Sequence, residues 1–253
     1  MRGMIMFLLA LEAAGLYDTL YDASEGNWSH FIVQQFHHHP WNGLRFWDLI
    51  QPAFMFMAGV AMAYSVTGMQ NRSVPKGQQT IKILKRSGWL FFWGVLIYAV
   101  RKTGLSFELW NVLTQLSFTI LLAYLIFSLD IKVQIVISLG LLVLTELLYR
   151  YSAVPGFDQP FTDQHNFGNY VDLLLMNKIN KGGWVAINCI PTAVHTIAGA
   201  ILGKLLIEER KDIVKRMLIT SGICFVLGYG LDLAGITPII KRISTSSFVL
   251  SSL

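Results

Sequence analysis

The chain has 253 residues, 54% of them hydrophobic and only 14% charged, with a net charge of +5 and a mean hydropathy of +0.52. Soluble domains carry about 25% charged residues, so a composition this poor in charge excludes a soluble globular protein and means that most of the surface faces lipid. Two cysteines, Cys189 and Cys224, sit inside apolar runs and read as buried thiols, which excludes a disulfide framework.

A bilayer core requires about 20 mostly apolar helical residues. Seven such runs follow one another, at 3–20, 46–66, 84–100, 110–129, 131–149, 184–207 and 213–235, and 243–253 opens an eighth that stops after eleven residues. The predicted fold class is therefore all-α: a polytopic transmembrane helical bundle forming a single domain. The first run begins at Met1-Arg2-Gly3 without a polar lead. It has no small-residue cleavage site and carries Glu12, so it reads as a retained span instead of a signal peptide. Because Ser251-Ser252-Leu253 ends within an apolar run, the chain reads as a fragment lacking C-terminal spans. Asp130-Ile131-Lys132 is short enough to force an antiparallel helical hairpin. Gly199-Ala200-Ile201-Leu202-Gly203 is a small-xxx-small pattern suited to close helix packing. No internal repeat and no low-complexity linker is evident.

The Lys and Arg distribution sets the expected orientation. With the N-terminus in the cytoplasm, twelve of the twenty fall inside: Arg2, Arg72, Lys76, Lys82, Lys85, Arg86, Lys132, Lys204, Arg210, Lys211, Lys215 and Arg216. The other eight, Arg45, Arg101, Lys102, Arg150, Lys178, Lys181, Lys241 and Arg242, are scattered over the outer segments. The positive charge then reflects contact with inner-leaflet lipid. Nucleic acid is not implied, because the basic residues flank spans and do not interleave with aromatics on a soluble face. The two longest connections, about 21–45 and 150–183, lie outside.

The most unusual stretch is 37–52, where three histidines, His37, His38 and His39, precede a turn (Pro40, Asn42-Gly43) and then Asp48 one turn into a span. A carboxylate within a span costs about 2.5–3.5 kcal/mol on insertion scales and needs a partner or a wet cavity. Asp48 also suits a helix N-terminus, which is its structural alternative. A metal site built from His30, the triplet and Asp48 lacks the usual ligand spacings, and no metal is expected. A general base is the more economical use of one histidine. Other polar residues in the apolar runs, Gln51, Gln115, Glu146, Asn188, His195 and Asp232, either line a path between the faces or bond neighbouring helices. Trp28, Phe36, Trp41 and Trp47 either stack on a ligand or form an interfacial belt. The loop 157–172, with Asp158, Asp163, His165 and Asp172, is expected to cover the outer site.

The pattern His38-x-x-Trp41-Asn42-Gly43-Leu44-x-x-x-Asp48-Leu49-x-x-Pro52-x-Phe54-x-Phe56-x-x-Gly59 resembles the heparan-alpha-glucosaminide N-acetyltransferase family and its bacterial NagX-type amino-sugar acetyltransferases. Weaker echoes follow in order at Leu113-Thr114-Gln115-Leu116, Asn169-Tyr170-Val171-Asp172, Trp184 to Lys204 and Thr245-Ser246-Ser247-Phe248. The resemblance implies transfer of acetyl from cytoplasmic acetyl-CoA to an amino sugar on the outer face of a bacterial inner membrane. It makes His38 the active-site histidine and Asp48 its carboxylate. Trp41, Asn42, Glu12 and Asn188 are the expected acceptor contacts, with Glu12 standing where the family usually has Asn in a slightly different register; pairing with a cation elsewhere in the bundle is the alternative for Glu12. Lys82, Lys85 and Arg86 are expected to meet the coenzyme phosphates, with Gln115 on the cofactor side, and lipid contact is the alternative for the lysines. Asn42 or a backbone amide would steady the oxyanion. Direct transfer and an acetyl-histidine intermediate both remain open, as does a homo-oligomer. The alternatives to the enzyme are a transporter for amino sugars or related solutes and a catalytically silent membrane partner.

Overall fold

The computed structural model describes residues 2–101, 104–209 and 211–253, and they are mostly helical. Met1, Lys102 and Arg210, the last two of which entered the charge count, lie outside the described residues. Helix α1 (Arg2–Ala13) ends where Gly15 takes a φ of 71°, and α2 (Leu16–Ala23) departs at 64°. The first apolar run is thus a bent pair, because only glycine enters the left-handed region without strain. A short α3 (His30–Val33) leads through a 3-10 turn and an extended segment to a second 3-10 turn, Phe46–Leu49, which continues as α4 (Ile50–Asn71). Then follow α5 (Lys76–Ala99), α6 (Val112–Leu125), α7 (Ile131–Tyr151) and α8 (Phe167–Met176). A 3-10 turn, Ala186–Asn188, opens α9 (Cys189–Ile207), and α10 (Ile213–Leu233) and α11 (Ser246–Ser251) complete the chain. The extended pairing among the described residues is small: Val100–Arg101 runs antiparallel to Gly104–Leu105, and Asn42 bridges Ile240.

Four helices are long and apolar enough to cross a membrane, Phe46–Asn71, Ile131–Tyr151, Ala186–Ile207 and Ile213–Leu233, or five if α1 and α2 form one broken span. The chain is an all-helical protein of membrane-spanning type. Two of the expected runs come out differently. Helix α5 has 24 residues, but its first half carries Lys76, Lys82, Lys85 and Arg86. Helix α6 is apolar, yet its 14 residues extend only about 21 Å.

The centre of the bundle is the parallel pair α4 and α9. A methyl group at Gly59 would strike the Thr196 carbonyl, and one at Gly199 would strike that of Phe56, while Gly203 abuts Ala63. The small-residue pattern at 199–203 therefore marks a helix contact, as small residues let backbones approach. Helix α6 lies parallel to α9, with Thr196 bonded to Thr119, and α5 packs antiparallel on α6 through Ser87–Ser117 and Thr80–Tyr124. Met55, Met62, Val66, Ile120 and Ile197 fill the core between them. Helix α10 packs on α11 and otherwise presents Leu218, Val226 and Leu233 outward. Helices α4, α6 and α9 begin at the end where α5, α7 and α10 finish. That common end gathers the segments 24–49, 152–188 and 234–245, and the site forms there.

Candidate active site

A cavity of about 660 Å³ opens at this end, bounded by α1, the start of α4, the α5–α6 junction and the loops that carry His38, Asn180, Trp184 and Lys241. His38 Nδ1 lies 2.9 Å from Asp48 Oδ1. Asp48 is 1% exposed, and its other oxygen accepts the backbone N–H groups of Arg45 at 2.9 Å and His39 at 3.2 Å. The carboxylate thus serves both readings at once: it caps the 3-10 turn and holds the histidine. Lys241 completes the group, with Nζ 3.0 Å from His38 Nδ1 and 3.5 Å from Asp48 Oδ1. A proton on Nδ1 donates to the carboxylate and leaves Nε2 bare, whereas an ammonium donating to Nδ1 puts the proton on Nε2, so Asp48 and Lys241 select opposite tautomers. Nε2 itself makes no hydrogen bond among the described residues. The imidazole lines the cavity with its side chain 38% exposed.

The histidine triplet separates into three environments. His37 Nε2 pairs with Asp18 at 3.2 Å and its ring meets Tyr21. His39 turns its ring onto Gly43, so that a Cβ there would touch it; burial and the neighbouring Arg45 guanidinium lower its pKa. Only His38 of the three reaches the cavity. Alternation along the extended segment decides this, as adjacent side chains point to opposite sides.

Lys241 was not legible as a site residue. It lies in the turn between α10 and α11, docked on the His38 loop by the Gly43 N–H to Ile239 carbonyl bond of 2.8 Å. Its ammonium also sits 5.5 Å from the Trp184 ring, whose edge-on contact with His38 is 5.8 Å between centroids. Burial lowers the Lys241 pKa to about 8, against the opposing pull of Asp48. In sequence it looks like any lysine flanking a span, since nothing local distinguishes a snorkelling cation from a buried one. Trp110, Glu108 and Asn180 also line the cavity; they lie in connecting segments between helices, where no local pattern marks a site residue.

The remaining expected contacts divide. Glu12 lines the cavity and accepts the Trp47 indole N–H at 3.0 Å. Gln115 accepts from Gln51 at 2.5 Å, and it is Gln51 that lines the cavity. Trp41 points away and donates to the Phe161 carbonyl at 2.8 Å. Asn42 is also off the cavity: its side chain is exposed and its backbone pairs with Ile240. Asn188 is fully buried and donates to the Arg242 carbonyl at 3.3 Å. None of these three lines the cavity; for Trp41 and Asn42 the backbone pairing of 42–43 with 239–240 turns the loop away, and Asn188 is held by its bond to Arg242. Lys82, Lys85 and Arg86 occupy the far half of α5, twelve or more residues from its cavity residue Tyr98, about 18 Å or more along the axis. The structure does not bring them to His38. His195 is buried against Ser252 at 2.9 Å, Glu146 pairs with Arg150 at 3.1 Å, and Asp232 accepts the Ile239 N–H at 2.9 Å. Among the described residues no three His, Cys, Asp or Glu side chains converge as metal ligands.

No residue of 157–172 lines the cavity, but Asp172, on α8, touches its wall. It is buried and accepts Trp110 Nε1 at 2.7 Å and the Ala186 N–H at 2.9 Å, so it holds a cavity wall in place. Burial raises its pKa to about 7 in spite of those two donors.

No protein-family model and no curated protein matches the chain.

Proposed function

We propose that this chain is a transmembrane acetyltransferase, resembling the heparan-alpha-glucosaminide N-acetyltransferases, that moves acetyl from acetyl-CoA to an amino-sugar nitrogen with His38 as general base. The observation that carries the reading is the 2.9 Å contact of Asp48 with His38 Nδ1, which, in the tautomer with the proton on Nδ1, leaves a bare Nε2 toward a cavity large enough for a sugar. In this scheme Nε2 takes a proton from the amine as its nitrogen attacks the thioester carbonyl. The oxyanion forms beside the Lys241 ammonium, which replaces Asn42 in that role. Collapse expels the coenzyme thiolate, which recovers the proton from His38. The products are the amide and the free thiol.

The same reading carries seven spans, with the N-terminus in the cytoplasm of a bacterial cell and the cavity on the outer side. It treats α1–α2, α5 and α6 as spans despite their bend, charge and shortness. The direction of each helix relative to the cavity supports it, since successive long segments run alternately toward and away from that end.

A carrier is the alternative reading. Below the cavity α4 and α9 meet backbone to backbone at Gly59 and Gly199, which closes the space between those two helices to a solute and to a coenzyme alike. The test places the chain in proteoliposomes with radiolabelled acetyl-CoA and glucosamine. N-acetylglucosamine that disappears with His38→Ala is the expected result. Glucosamine crossing unmodified, without acetyl-CoA, would overturn the enzyme and favour the carrier.

A further inference from the structure

The cavity is polar at the end that holds His38, Lys241 and Glu12 and apolar at the end that holds Met6 and Phe54, a change that runs along α1. On α1 the residues that line it are Glu12, Leu9 and Met6, in steps of three; on α4 and its preceding turn they are Trp47, Ile50, Gln51 and, deepest, Phe54. Residues three apart stay on one face, and six residues advance about 9 Å along a helix. The apolar end therefore lies about 9 Å below the level of Glu12. Phe54 lies in a candidate membrane span, and α1 belongs with α2 to a bent pair that is apolar enough to be one broken span, so this end lies within apolar, span-type segments. Met6 lines the cavity while remaining 58% exposed, and Met4 and Phe7 beside it are also exposed. Helix α1 packs mainly on α2 and α4, and the opposite wall comes from Tyr98, Val112 and Leu113. The mouth at Met6 consequently opens sideways among lipid-facing residues.

We propose that the acceptor is an amphiphile, with an amine-bearing sugar headgroup at His38 and a single alkyl chain lying along Leu9, Met6 and Phe54, admitted from the bilayer between α1 and α6. This rests on the acyl-transfer reading for the headgroup and extends it to the substrate class. A soluble amino sugar fills the polar end and leaves the apolar end bare. A coenzyme A thioester is held in water by its charged end and has no use for a lipid-side entrance. A lipid-borne headgroup matches both ends, because its own amphiphilicity fixes it at this depth.

The chain in lipid nanodiscs gives two independent readouts. The first uses octyl glucosaminide with a photoreactive diazirine in its alkyl chain and no acyl donor, with labelled residues mapped by peptide mass spectrometry. Labels on Leu9 and Phe54 are expected, displaced by plain octyl glucosaminide and reduced by Leu9→Trp, with labelling of the outward face of α10 unchanged. Labels confined to α10 and the outward face of α5 would overturn the proposal. The second compares initial rates with acetyl-CoA for octyl glucosaminide and free glucosamine. A kcat/KM about tenfold or more higher for the octyl compound is expected from burial of its chain, with the ratio falling toward unity in Leu9→Trp. A ratio near unity in the unmodified chain would overturn the amphiphile even with acetyl transfer intact. Labelling of the cleft without turnover of either acceptor would uphold the amphiphile site and remove the acyl-transfer reading. A rate that instead rises with the acyl length of the donor, and loses that rise in Leu9→Trp, would assign the cleft to the donor and overturn the proposal.

Discussion

Replacing Asp48 by Asn exchanges one acceptor for a donor and removes one charge at nearly constant shape. The Asn oxygen is expected to stay on the Arg45 and His39 amides, which hold the present carboxylate at 2.9 and 3.2 Å. Its NH₂ group then turns to His38 and Lys241. His38 must accept at Nδ1, which moves its proton to Nε2, the atom that has to be bare to act as a base. A tautomer error of this kind costs about 10⁴ in kcat in a Ser-His-Asp triad, and a loss of that order is expected here. The stability effect follows from the lysine, which is 6% exposed. Lys241 has a pKa of about 8 against an ordinary 10.5, and without Asp48 it falls further, so at pH 7 the variant holds it neutral. Keeping it neutral one pH unit below its former value costs about 1.4 kcal/mol. At pH 9 the lysine is neutral with or without Asp48, and that deficit vanishes. The sign is consistent: up to pH 10.5 the unfolded chain binds more protons than a fold with a neutral lysine, so stability rises with pH. Turnover in proteoliposomes and denaturation at pH 7 and pH 9 measure both effects. Adding Lys241→Met should remove the pH dependence without restoring activity. An Asp48→Asn protein that keeps more than about a tenth of its activity, or whose deficit is equal at both pH values, would refute the arrangement.

Of the histidines, His38→Ala should abolish turnover, whereas His37→Ala and His39→Ala, whose rings lie off the cavity, should retain most of it; equal losses from all three would contradict the single-base site. Gly199→Ala should destabilise by roughly 1–3 kcal/mol, since its methyl meets the Phe56 carbonyl. Gly140→Ala, with nothing within 4 Å, is the control and should stabilise α7 by up to about 1 kcal/mol. Asp172 rises from 3.8 to about 7 in the fold, so the folded chain holds the extra proton between those values. Its contribution is present below pH 4 and is lost as pH rises through 7, on the order of 4 kcal/mol in all. Asp172→Asn should flatten that dependence in denaturation curves collected from pH 4 to 8, and an unchanged slope would exclude this carboxyl as its source.

The sequence made His38 and Asp48 visible because both depend on local facts: a carboxylate one turn into an apolar run, and a histidine beside a turn signal. It also marked Gly199 and Gly203 as a contact surface through spacing alone. Asn42 and Trp41 show where local reasoning ends. Both adjoin the histidines in sequence, yet pairing with a segment some two hundred residues away turns them off the cavity. Lys82, Lys85 and Arg86 formed the densest basic group near a span, but helix rise carries them far from the site.

Composition and apolar run length by themselves determined the solvent of this protein and its helical class, because burial in lipid requires apolar residues and internally satisfied backbone. They also located one buried pair, His38 with Asp48, since a charge in an apolar run must find a partner. What only the tertiary structure decided is which residues complete that pair and what shape surrounds it. Lys241 reaches His38 across a sequence separation of 203 residues, and the apolar end of the cavity exists because α1 and α6 stand apart along α4. Neither fact has a local signature, because each depends on how distant segments pack and not on the chemistry of any one of them.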